Sequence, residues 1–151
     1  MIMFPQLSIL EEAWVVIDLE TTGLSVNQDM IIEVGAIKFQ GEHKVDSFEA
    51  LVNPGRQLTD FVKQLTGITQ NEVDSAVPFS AIAEDLAEFV GNSPVLGHNL
   101  SFDLDFLSSN GITLSNTRCD TWDMAFVLMP SARGYSLSQL ATSLRIDHLR
   151  P

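Results

Sequence analysis

Two carboxylates one residue apart end an apolar run in VVIDLETTGL, residues 15 to 24: Asp18 and Glu20. The run reads as a buried β-strand over 13–19. Side chains alternate along a strand, so both acids share a face, with Cα atoms ~6.6 Å apart. At that spacing the two carboxylates reach one cation, or two. Burying them without compensation is expensive, and the strand supplies no basic neighbour. A divalent metal is the simplest compensation, since Mg²⁺ takes a few carboxylates together with water and phosphate oxygens. The competing reading puts both acids at a solvated strand end, because so short a motif arises often by chance. Thr21, Thr22 and Gly23 favour the first reading. Thr-Thr-Gly after a strand makes a tight turn whose N–H groups suit close approach to a nucleotide.

A second constellation lies in GHNLSFDLDF, residues 97 to 106. Asp103 falls near the start of a helix, on the stripe shared by Phe106, Leu107 and Asn110. A carboxylate on that apolar stripe again requires a cation, whereas Asp105 points elsewhere and reads as solvated. His98 and Asn99 close a short strand, the place where open α/β sheets hold ligands. His98 reads equally well as a structural histidine or as a site residue. Phe102 reads as core, with lining of a base pocket as the minority alternative. Glu33 interrupts the second strand and stays unassigned, and Asp120 reads as a helix cap.

These residues need a scaffold, and its elements can be read along the chain. Strands are expected at 13–19, 30–39 and 44–52, the last two joined by a Gly41-Glu42 turn as an antiparallel hairpin. Asn53-Pro54-Gly55 ends the sheet segment. A short helix stops near Gly67, and Thr69 with Glu72 forms a capping box. Apolar residues from Phe79 to Val90 recur at helical spacing, and Gly91 ends that helix. Residues 94–98 read as a buried strand and 101–111 as a helix capped by Ser101. Helices at 121–129 and 136–144 follow, the second opened by a Ser136–Gln139 capping box. Strands first, then helices alternating with a further strand, predict an α/β fold with helices on a mixed sheet.

The bulk composition narrows the class. The 151 residues suffice for one domain, and an apolar fraction of 45 % argues against disorder. Twenty acids against eight bases give a formal charge of −12. That balance disfavours tight non-specific nucleic-acid binding but not a strand end held through metal ions. Cys119 is the single cysteine, so neither an internal disulfide nor a Cys-rich zinc cluster is available. No signal peptide or membrane span is visible, and a cytoplasmic location is expected.

Taken in order, VVIDLETTGL, LTGIT with VPFSAIAEDLAEFV, VLGHNLSFDLDFL and YSLSQLATSLRI resemble the DnaQ-like, DEDD-type 3′–5′ exonucleases. That family includes the proofreading subunit of DNA polymerase III and the exonuclease domain of DinG-type helicases. The resemblance covers nearly the whole chain. It implies a ribonuclease H-like fold, with a central mixed sheet flanked by helices. It implies that Asp18, Glu20 and Asp103 bind two Mg²⁺ or Mn²⁺ ions. It further implies that Thr21, Thr22, Gly23 and Leu24 receive the terminal nucleotide, with His98, Asn99 and Phe102 near the substrate. The implied substrate is a single-stranded DNA or other nucleic-acid 3′ end, and the implied partner a fused or associated helicase or polymerase.

The family's third motif is a His followed five residues later by an Asp. By this pattern residues 1–151 form one exonuclease domain that stops before that motif, with Asp147 and His148 in a loop. The remaining alternative is an interaction module that keeps the exonuclease fold without catalysis. A glycosidase reading is poor, since glycosidase acids flank a sugar from two sides and Asp18 and Glu20 project from one.

Overall fold

The computed structural model describes residues 12–146. Asp147 and His148 therefore lie outside the described residues. Among the described residues, five strands form one sheet in the order β3-β2-β1-β4-β5. They are β1 (Ala13–Thr21), β2 (Ile31–Gln40), β3 (His43–Leu51), β4 (Val95–Gly97) and β5 (Arg118–Asp120). β1, β2 and β3 are antiparallel, as the short Gly41-centred turn requires, with Gly41 at φ 59. β4 and β5 join parallel to β1, each reached through a helical crossover. β5 carries only three residues, Arg-Cys-Asp, too short and too polar for an apolar pattern to reveal it.

Alternation in β1 divides the sheet into two unlike faces. Val15, Ile17 and Leu19 point to one side and are buried. They pack with Val34, Ala36 and Val95 of the neighbouring strands against α3 (Ala83–Val90) and α4 (Leu100–Ser109), through Leu86, Val90, Leu104, Phe106 and Leu107. A smaller core lies beneath α1 (Asp60–Thr66) and α2 (Gln70–Ser75), where Val62, Ile68 and Val73 meet Ile32. The capping boxes expected at Thr69–Glu72 and Ser136–Gln139 both form, and Gly67 closes α1 at φ 79.

Two local expectations need correction. The single helix expected from Pro78 to Gly91 is a 3-10 turn (Phe79–Ala81) followed by α3, with Ile82 between them at φ −112. Its apolar spacing survives the change of pitch, so the pattern could not reveal the break. α4 is not capped by Ser101. It begins at Leu100, and Asn99 precedes it in the left-handed region at φ 59, with no cap from its own side chain. The capping carboxylate comes from the end of β5, which no local pattern announces.

The second face of the sheet carries Trp14, Val16, Asp18 and Glu20 from β1, opposite Phe39, Ile37, Gly35 and Glu33 from β2. One end of this face is apolar. There Trp14, Phe39, Leu96, Cys119 and Met124 line a recess of about 270 Å³. The recess runs toward an apolar groove of about 490 Å³ between α5 (Thr121–Leu128) and α6 (Leu137–Leu144). The other end is acidic. No helix among the described residues is long and apolar enough to cross a membrane.

Candidate active site

Asp18 and Glu20 share the second face, as strand alternation demands, but that face is open among the described residues. Asp18 is exposed and Glu20 half-buried. The expectation of two acids on a buried face is therefore corrected. The apolar residues that suggested burial belong to the opposite face, and a one-residue alternation separates the two environments. Opposite Asp18 stands Gly35, where an added Cβ would meet only the Asp18 backbone carbonyl, at 3.8 Å. Opposite Glu20 stands Glu33. Like charges directly paired across strands repel, so this pair has no structural merit of its own.

Asp103 reaches the same strand from α4. Its Oδ1 accepts the Leu19 N–H at 3.0 Å. β4 pairs with β1 only along Val15 and Val16, so beyond that point the β1 amides face a gap. Asp103 enters the gap and replaces the missing strand partner. It is the one buried charged residue among those described, at 4 % exposure. Burial, and secondarily the charge of Asp18, push its carboxyl up to about 7, against the opposing pull of the Leu19 N–H. Burial also raises Glu20, helped by Asp18 and Glu33. Glu33 is raised by burial first, then by Glu49 and Asp18. Asp18 is raised by burial of the strand end, and His98 pulls it back. Because Asp18 stays open to water, the enclosed Asp103 carries the larger energetic weight.

The acids thus raise one another's pKa and have no ion pair among the described residues, where the one salt bridge joins Lys63 to Asp60. Clustered carboxylate oxygens without a cationic partner suit a hard divalent ion in kind. They do not stand at its coordination distance: among the described residues, no three His, Cys, Asp or Glu side chains are gathered into a metal-binding group.

The turn after β1 is a closed hydrogen-bonded unit. Thr22 Oγ1 donates to Asp29 Oδ1 at 3.0 Å and accepts the Met30 N–H at 3.0 Å, while Ser25 N–H donates to Asp29 Oδ2 at 2.9 Å. Thr21 Oγ1 donates to the Gly23 carbonyl at 2.6 Å. Gly23 is required by close approach: a Cβ there would lie 2.5 Å from Asp29 Oδ2. Leu24 stands at the rim, 84 % exposed. Asp29, which organises this turn, was not foreseen. Its partner Thr22 lies seven residues away, beyond any local turn pattern.

At the end of β4, His98 is half-buried and its Nδ1 lies 2.9 Å from Thr121 Oγ1. Asn99 is exposed. Phe102 packs its ring on Phe106 at 4.9 Å and borders the main core, as the core reading expected. The structure therefore brings Asp18, Glu20, Asp103 and His98 to one strand-end region, the electrostatic coupling running through Asp18. Glu33, unassigned by sequence, stands opposite Glu20 at this strand end, and Asp120, expected only as a helix cap, has a carboxylate that serves two helices at once.

The chain is similar in sequence and in fold to known proteins. A family model described as exonuclease, of the RNase_T type, matches residues 15–150. DNA polymerase III PolC-type of Caldanaerobacter subterraneus is 38 % identical over 144 residues, covering 93 % of this chain and 10 % of that protein. The 3′-5′ exonuclease DinG of Bacillus subtilis is 32 % identical over 147 residues, covering 93 % of this chain and 16 % of that protein. The chain thus spans a small part of the length of these relatives. Among solved structures, exonuclease X in complex with 5′ overhanging duplex DNA superposes with TM-score 0.73 at 24 % identity, over 91 % of this chain and 76 % of that one. Apo exonuclease I superposes with TM-score 0.76 at 19 % identity, over 91 % of this chain and 38 % of that one. At these identities the structural likeness establishes the fold, which is ribonuclease H-like as the sequence resemblance implied. Matched along nearly its whole length by the family model and by relatives above 30 % identity, the chain belongs to the exonuclease family.

Proposed function

We propose that this chain carries the site of a metal-dependent 3′–5′ exonuclease that releases nucleoside 5′-monophosphates from DNA 3′ ends. The observation that carries the reading is the meeting of Asp103, buried and raised to about 7, with Asp18 and Glu20 at one strand end. Such a concentration of mutually repelling carboxylates is costly in the free chain and becomes favourable once cations are bound. Asp18, Glu20 and Asp103 would hold two Mg²⁺ or Mn²⁺ ions. Those ions, when bound, supply activation of a water and neutralisation of charge on the scissile phosphate.

The chain's own residues do the rest. The Thr21–Leu24 turn, braced by Asp29, offers a rigid ledge for the terminal nucleotide. His98 and Asn99 border the strand end, and exposed Leu24 gives an apolar surface against which a base can pack. The acidic balance of the chain, −12, implies weak intrinsic affinity for DNA. A tethered polymerase or helicase would supply the local concentration, and the likeness to DNA polymerase III PolC-type supports the first of these. We place the activity in the cytoplasm, in replication or repair.

The test uses the purified full-length protein. With Mg²⁺ or Mn²⁺ it should release mononucleotides from 3′-labelled single-stranded DNA, and Asp18→Ala should abolish release. Protein that is inactive with both metals sinks the reading. A second reading, a non-catalytic interaction module, draws on the three carboxylates not being gathered to ligand distance. Calorimetric Mn²⁺ titration separates the two: a saturable site lost in Asp18→Asn supports the enzyme, and no site supports the module.

A further inference from the structure

The corner between β4 and α4 is held from outside its own segment, by the residues where β5 becomes α5. Asp120 accepts three backbone amides: Asn99 N–H at 3.0 Å and Trp122 N–H at 2.8 Å on Oδ1, and Leu100 N–H at 2.7 Å on Oδ2. Thr121 Oγ1 donates to the Gly97 carbonyl at 3.0 Å and lies 2.9 Å from His98 Nδ1. A hydroxyl has a single proton. With that proton directed at the Gly97 carbonyl, the Thr121 oxygen offers His98 only a lone pair, so Nδ1 must carry the hydrogen. In the neutral ring Nε2 is then the acceptor.

The clamp spans the left-handed Asn99, at φ 59, a conformation that a non-glycine residue adopts at some cost. It also fixes the first turn of α4, the helix that carries Asp103. A cap alone would require Asp120 only. Nothing in capping requires the Thr121 hydroxyl to face the imidazole.

We propose that Asp120 and Thr121 are positioning residues of this site, which hold the Gly97–Leu100 corner and set His98 in the Nδ1–H tautomer, leaving Nε2 as the acceptor toward a bound water or substrate. The consequence for turnover rests on the exonuclease reading, whereas the tautomer is a property of the folded chain and is measured without turnover.

The experiment is a long-range ¹H–¹⁵N correlation spectrum of the ¹⁵N-labelled chain, at a pH where imidazole is neutral, with the His98 signals assigned by their loss in His98→Gln. Exposed His43 serves as the internal reference. Wild-type His98 should show Nδ1 protonated and Nε2 with the shift of a bare acceptor. Thr121→Ser should keep this pattern. Thr121→Val, of nearly the same shape, should move it toward the mixture shown by His43. A wild-type ring protonated at Nε2, or an unchanged pattern in Thr121→Val, overturns the proposal.

For Asp120, the Asn99 and Leu100 amides should exchange with solvent at least about tenfold faster in Asp120→Ala. Unchanged exchange overturns that half. In the nuclease assay, Thr121→Val should lower kcat by roughly 10–100-fold at unchanged KM, with Thr121→Ser restoring it. An altered tautomer with unaltered kcat removes the positioning role. A wild-type protein that shows the tautomer but no nuclease activity counts against the exonuclease reading alone.

Discussion

The two faces of β1 differ by one residue of register and by nearly everything else. Val15, Ile17 and Leu19 are enclosed by α3 and α4, and their contribution is packing. Asp18 and Glu20 look out from the same nine residues onto an open surface, beside Glu33 and a buried Asp103. One face stabilises the fold, and the other stores electrostatic repulsion that the fold must carry. A site of this kind is unfavourable in the free chain by its chemistry, so it stands next to the strongest packing available.

The sharpest way to break this contrast is to swap the roles of adjacent residues. Ile17→Ala removes a fully buried side chain and should cost about 2–5 kcal/mol in urea unfolding. Asp18→Asn, one residue on, should change stability by no more than about 0.5 kcal/mol while abolishing the proposed activity. Equal destabilisation by the two would erase the distinction between the faces.

Asp103 bridges the faces and sharpens the contrast through pH. Its carboxyl ionises near 3.8 when unfolded and at about 7 when folded. The folded state therefore holds the proton more tightly. Well below pH 3.8 both states are protonated and there is no penalty. As pH rises from about 4 to 7 the unfolded chain ionises first, so the metal-free protein loses stability across that window. Asp103→Asn removes the charge and keeps an Oδ1 acceptor for the Leu19 N–H. It should flatten the pH dependence and stabilise the metal-free chain at pH 8 by on the order of 2–4 kcal/mol. A stability that rises between pH 4 and 7 and falls in the Asn variant would contradict the assignment.

Two glycines test the turn against the strand. A Cβ at Gly23 would enter the Asp29 carboxylate, so Gly23→Ala should cost about 1–3 kcal/mol and weaken the Thr22–Asp29 bond. At Gly35 the nearest atom to an added Cβ is the Asp18 carbonyl at 3.8 Å, an ordinary contact. Gly35→Ala should shift stability by less than about 1 kcal/mol, and any larger effect on activity would come from crowding above Asp18. Both are read from denaturant midpoints, with activity measured in parallel.

Strand β1, the β2–β3 hairpin and both capping boxes were legible in the sequence because their determinants are local: alternation, a Gly turn, and a hydroxyl three residues from its Glu or Gln. Asp18, Glu20 and Asp103 were legible for the opposite reason. Each breaks an apolar pattern that its neighbours obey. β5 was not legible, since three residues do not make a period, and neither was the split of the 78–91 helix.

Sequence alone determined which residues alternate on β1, which acids interrupt the apolar runs, and through family likeness the order of the motifs. Tertiary structure alone decided that the Asp18 face is open, that Glu33 stands opposite Glu20, that Asp103 fills the gap where β4 leaves β1, that Asp120 accepts the Leu100 N–H, and that Thr121 stands against His98. The physical reason is range. Alternation and capping are written within a few residues, whereas a carboxylate 84 positions from the amide it accepts is brought there only by the crossover that lays α4 against the sheet.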